Sequence, residues 1–187
     1  MPILGVVDSG KSGNLYFASF DSIATVNITS NGQSATFSSI PAGYTHLQIR
    51  IMGRGIDAGT TDTLYARFNS LAPSAGYRDH YLRGDGASVI SGTGSNNYLA
   101  IANIAGNGNS ANIQSGYVID ILDYANTNKY KTVKTLGGYD ANGSGRVFLT
   151  SGFLTTTLDA ISSIEISCLS GGFVSNSNIA LYGLKVA

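Results

Sequence analysis

Glycine interrupts this chain too often for helices to form, and between the interruptions apolar side chains recur at every second residue. In Thr45-His46-Leu47-Gln48-Ile49-Arg50-Ile51-Met52, the residues Leu47, Ile49 and Ile51 fall on one side while His46, Gln48 and Arg50 fall on the other. A period of two is that of an extended strand with one buried face. Apolar residues seldom recur at three-and-four spacing over a dozen positions, so helices are not expected.

The same rhythm marks strands at Leu64 to Phe68, Tyr117 to Leu122, Arg146 to Leu149, Ile164 to Cys168 and Ile179 to Val186. Weaker versions lie at Ile23 to Ile28, Ala35 to Ser38, Tyr77 to Leu82, Tyr98 to Ile101 and Tyr130 to Leu136. Between them, Asn31-Gly32, Asp85-Gly86 and Asn142-Gly143 supply residues that accept the left-handed backbone of tight turns. The Gly, Asn and Ser run from Ser91 to Ser115 reads as loops. Many short strands with turn chemistry and no crossover helices predict an all-β, antiparallel β-sandwich, with the eight-stranded jelly roll as its expected form. The length of 187 residues suits one core, placed at residues 20–187.

Residues 1–19 differ: the apolar clusters Ile3-Leu4 and Leu15-Tyr16-Phe17 flank a Gly/Ser-rich stretch, which reads as an extended N-terminal arm. An isolated terminal segment cannot bury its apolar side chains alone. It either packs back on its own sandwich or is ordered by a neighbour, and in the second case Ile3, Leu4, Leu15, Tyr16 and Phe17 form an interface that staples subunits together.

Eleven basic residues balance eleven acidic ones with no Lys/Arg block, so nucleic acid is not an expected partner. Charged residues make up 12% of the chain, and Gly, Ser, Thr, Asn and Tyr fill the deficit. A neutral polar surface suits hydrogen bonding to a neighbouring subunit or a sugar. The eleven tyrosines fit either partner, and equally well a half-buried strand. Cys168 alternates with Ile164 and Ile166 and is expected in the core. A single cysteine excludes an internal disulfide, which with the absence of a basic leader before Asp8 suggests maturation in a reducing compartment such as a cytoplasm. No run of about 18 apolar residues is present, so a membrane span is not expected.

Several motifs imitate chemistry without its setting. Gly5 to Ser12 matches the phosphate-binding loop expression, but no strand long enough to feed it and no helix start after it can be found. Gly106-Asn107-Gly108-Asn109 lacks the strand-to-helix setting of a dinucleotide site. Asp140 to Gly145 opens like a calcium loop but reaches Ser151 where a glutamate is required. Arg83-Gly84-Asp85 explains itself through the Asp85-Gly86 turn. His46 and His80 are the only imidazoles; His46 is expected on an outward strand face, and Asp79 and His80 on opposite faces of theirs. Asp120 and Asp123 could serve a glycosidase only if the fold set a carboxylate pair at the right separation. The expectation is a binding protein, not an enzyme, with no catalytic residue, no cofactor and no metal.

Asp21 to Val26, Ile40 to Arg50, Val118 to Thr132, Gly138-Tyr139-Asp140 and Leu181 to Lys185 together resemble small virion proteins of tailed bacteriophages, especially those of marine bacteria. The resemblance implies a jelly-roll component of the particle. Within that group it favours a decoration or cement protein on the capsid exterior that binds the major capsid protein, stabilises the shell and self-associates as a trimer. A head-fibre or tail appendage module that binds host glycan through the Ser91 to Ser115 region is the alternative, and a glycan-cleaving enzyme a weaker one.

Overall fold

Leu47, Ile49 and Ile51 point into the protein and are buried, whereas Arg50 and Met52 on the same strand face solvent. Repeated along the chain, that alternation gives each strand one apolar face, and two stacked sheets cover those faces. The computed structural model, which describes residues 20–74 and 76–185, has this arrangement, with no helix among the described residues. Its strands are Phe20–Asn27 (β1), Ala35–Phe37 (β2), His46–Gly53 (β3), Thr61–Phe68 (β4), Tyr77–Gly84 (β5), Val89–Asn96 (β6), Leu99–Ala105 (β7), Ser115–Ile121 (β8), Val133–Asp140 (β9), Gly145–Leu154 (β10), Ile164–Cys168 (β11) and Asn178–Leu184 (β12).

The larger sheet runs β1-β12-β3-β8-β9-β10-β5-β6 and the smaller β2-β11-β4-β7, all pairs antiparallel. Two hairpins, β5–β6 and β9–β10, are insertions in this scheme. Without them the larger sheet reads first-eighth-third-sixth and the smaller second-seventh-fourth-fifth, which is the order of a rolled-up antiparallel hairpin, the jelly roll. The insertions extend only the larger sheet, so β5 and β6 reach beyond the last strand of the smaller one.

The core lies between the sheets and draws Leu64, Phe68 and Ile164 from the smaller one and Ile119 and Leu181 from the larger. Full burial of one such side chain contributes roughly 1.5–3 kcal/mol. Cys168 sits in this core as expected, and burial pushes its thiol above the ordinary range. The expected turns form where placed: Gly32, Gly86 and Gly143 all have positive φ, and Asn142 joins Gly143 in the left-handed region.

The Ser91 to Ser115 region departs from expectation. It contains most of β6 and all of β7, not loops alone. Strand β6 alternates small with small: Gly92 lies under the Tyr81 ring and Gly94 under the Asp79 carboxylate, while Ser91, Thr93 and Ser95 face out. Large side chains of β5 occupy the space that apolar residues of β6 would otherwise fill, so the apolar rhythm is missing.

Strand β7 ends the smaller sheet, and an open edge invites pairing with another chain. Here four of its backbone groups that face away from β4 are bonded by the larger sheet and by the segment that follows β3. Thr150 Oγ1 donates to the Ile101 carbonyl at 2.6 Å, Tyr117 OH to the Asn103 carbonyl at 2.6 Å, and the Ala105 amide donates to Ser115 Oγ at 2.8 Å. The Gly55 amide donates to the Ala105 carbonyl at 2.9 Å. These bonds occupy three carbonyls and one amide of this edge between Ile101 and Ala105, so a further strand would have to displace them.

Candidate functional site

Two surfaces on the inserted hairpins stand out, one on each side of the larger sheet. The inner one is a cleft of about 310 Å³ between β7 and the overhanging β5–β6 hairpin. That volume falls at the lower end of small-molecule sites. Alternation along β5 brings Tyr77, Asp79, Tyr81 and Arg83 to this side. Tyr77 is consumed by structure: its hydroxyl accepts from the Phe68 amide at 2.9 Å and donates to the Leu71 carbonyl at 3.1 Å. The other three line the cleft.

Asp79 is the unusual member. It is 2% exposed, its carboxylate accepts from the Ala100 amide, and its Oδ1 has no hydrogen-bond partner. Burial raises its pKa above the ordinary carboxylate range, opposed by the neighbouring His80 and the Ala100 amide. Around it stand polar groups and rings. Asn103 Oδ1 accepts from Arg146 Nη1 at 2.7 Å and from Arg83 Nη1 at 3.3 Å. Two guanidinium donors fix the amide oxygen, which leaves its nitrogen as a donor turned away from them. Tyr81 is braced by Phe148 at 6.2 Å and Tyr98 by Tyr65 at 5.3 Å between ring centres.

The outer surface is apolar. Register places Val118, Leu136, Leu149 and Leu82 side by side across β8, β9, β10 and β5. All four are exposed, Leu136 by 59%. In the next row Met52 and Val147 are separated by Gly116 and Gly138, and Val147 and Val89 by Gly84. Beside these rows lies an open depression of about 650 Å³ whose lining includes Leu136, Val147 and the glycines 84, 86, 138 and 145.

The residues singled out in the sequence scatter. Ile3, Leu4, Leu15, Tyr16 and Phe17, with the whole segment 1–19 and the Gly5 to Ser12 motif, lie outside the described residues. His46 is half-buried on the outer side of β3, and its Nδ1 accepts from the Asp123 amide at 2.9 Å. Asp123 pairs with Lys129, whose hydrogen bond lowers the carboxylate pKa. Asp120 accepts from Gln48 Nε2 at 2.8 Å on the outer face of β8, and Gln48 in turn accepts from Arg50 Nε at 3.0 Å. Both aspartates are thus held in surface pairings away from the cleft. Asp79 and His80 point to opposite sides as expected, the first buried and the second exposed. Asp85 caps its turn by accepting from the amides of Ser88 and Ala87, which lowers its pKa. Asp140 Oδ1 accepts from the Asn142 amide at 2.8 Å. Among the described residues no group of three or more His, Cys, Asp or Glu is set to hold a metal.

Sequence reading missed the cleft itself. Its one legible trace is an aspartate in the alternating series Tyr77-Asp79-Tyr81 opposite Gly92-x-Gly94, a carboxylate set among rings against two glycines.

No family model matches this chain, and no curated protein matches it. Among solved structures it is similar to galectin LEC-6 of Caenorhabditis elegans, at 10% identity over 87% of this chain and 96% of that one, with a TM-score of 0.35.

Proposed function

We propose that this chain is a structural protein of a bacteriophage particle, a capsid decoration or cement protein that binds the major capsid protein and stabilises the shell. The observation that carries this reading is the outer face of the larger sheet, where exposed aliphatic side chains stand in register over four strands beside a glycine-floored depression. Contiguous apolar patches of this kind mark protein contact surfaces. Gly116 beside Met52, and Gly84 between Val147 and Val89, leave open positions that side chains of a partner can fill. A balanced net charge and the virion-like stretches of the sequence agree with a role in which contact, not chemistry, is the work.

The partner is another virion subunit, and self-association into a trimer through the same kind of contact belongs to this reading. It is tested by sedimenting the purified protein with undecorated phage capsids. Wild type is expected to co-sediment at hundreds of copies per particle, and Leu136→Lys with Leu149→Lys to stay in the supernatant. Equal binding by the wild type and the double variant, or no binding by either, would overturn it.

A further inference from the structure

We infer that the cleft between β7 and the β5–β6 hairpin is a binding site for a neutral saccharide, with Asp79 as its central hydrogen-bond acceptor. A buried carboxylate oxygen without a partner is costly and rare in a folded protein. Asp79 Oδ1 is such an atom, in a residue that lines the cleft, and Gly94 beneath it leaves room for the carboxylate itself: a Cβ there would stand 2.2 Å from Oδ1. A ligand that donates hydrogen bonds completes the site.

The surrounding groups select the kind of donor. A carboxylate at the centre rejects anions, and a lone carboxylate without further acidic or imidazole ligands does not form a cation site. An extended peptide needs a free strand edge, whereas on β7 the carbonyls of Ile101, Asn103 and Ala105 and the Ala105 amide are already bonded to Thr150, Tyr117, Gly55 and Ser115. A sugar fits each feature. Its hydroxyls donate to Asp79 and accept from Arg83, Asn96 and the Asn103 nitrogen, and its C–H faces pack on Tyr81 and Tyr98. The braced rings and the doubly held Asn103 are set before any ligand arrives, which lowers the ordering cost of binding. This site does not depend on the docking role of the outer face, which lies on the other side of the same sheet.

The test titrates lactose, maltose and cellobiose into isotopically labelled protein and follows backbone amide signals. At least one disaccharide is expected to shift Tyr81, Gly94 and Asn103 while leaving β1, β2 and β12 unmoved. Asp79→Asn and Asn96→Ala should each weaken that binding by at least about tenfold, the loss of one charge-assisted or neutral bond from a buried site. Thermal unfolding of both variants confirms that they are folded, and Asp79→Asn is expected to melt no lower than wild type. The proposal is overturned if none of the three sugars moves those amides, or if both variants bind as wild type does. Leu136→Lys with Leu149→Lys should bind sugar normally, so failure of capsid docking and failure of this site are read separately.

Discussion

The carboxylate of Asp79 rests directly against the Cα of Gly94 across the β5–β6 pair, where any side chain would have to displace it. Gly94→Ala puts a methyl group 2.2 Å from Oδ1 and 2.6 Å from Oδ2. Overpacking of this kind costs about 1–3 kcal/mol. Urea denaturation should show a lower midpoint with an unchanged slope.

Asp79→Asn should act in the opposite direction, and in a pH-dependent way. Burial raises the folded-state pKa above the unfolded value of about 3.9, so the native state holds the proton more tightly than the unfolded chain. As pH rises from near that unfolded value through the folded pKa, wild-type stability falls, and above it the full penalty remains. An uncharged amide in place of the carboxylate carries no such penalty, so the variant gains on wild type across this window and keeps the gain at neutral pH. Parallel melting curves from acid to neutral pH check it; a gap that does not widen with pH contradicts it.

The capped edge of the smaller sheet makes a separate prediction. Thr150→Val keeps the shape of the side chain but removes the donor to the Ile101 carbonyl, leaving a buried acceptor unsatisfied at a cost of about 1–3 kcal/mol. Hydrogen exchange should accelerate along β7, and light scattering on storage should rise as the uncapped strand becomes available for pairing.

On the outer face the expectation is the reverse of a core mutation. Leu136 and Leu149 are more than half exposed, so Leu136→Lys with Leu149→Lys should leave the melting temperature close to wild type. Only association should respond: the wild type is expected to self-associate and to bind capsids, and the double variant to run as a monomer in equilibrium sedimentation.

Much of the architecture is written in the two-residue rhythm. Leu47, Ile49 and Ile51 declare a strand because nothing but burial explains them, and the same holds for Ile164 and Ile166. Strand β6 is illegible because the two inward residues at its middle, Gly92 and Gly94, are glycines whose space is filled from β5, a relation between segments that no single window contains. The jelly-roll order can be expected only as a class, since the two hairpins extend one sheet without altering the local pattern. The cleft is hidden for a similar reason. Asp79 looks like any polar residue beside a histidine until β7 is laid over it.

The β9–β10 and β5–β6 hairpins add to an eight-strand framework, and the apolar face and the cleft are both built largely on them. Val118, Leu136, Leu149 and Leu82 look outward from the very wall whose reverse carries Asp79, Tyr81 and Arg83. A subunit anchored on one side therefore leaves the other side unobstructed, and a single thickness of polypeptide can be fastened to a scaffold while holding its second face toward whatever passes.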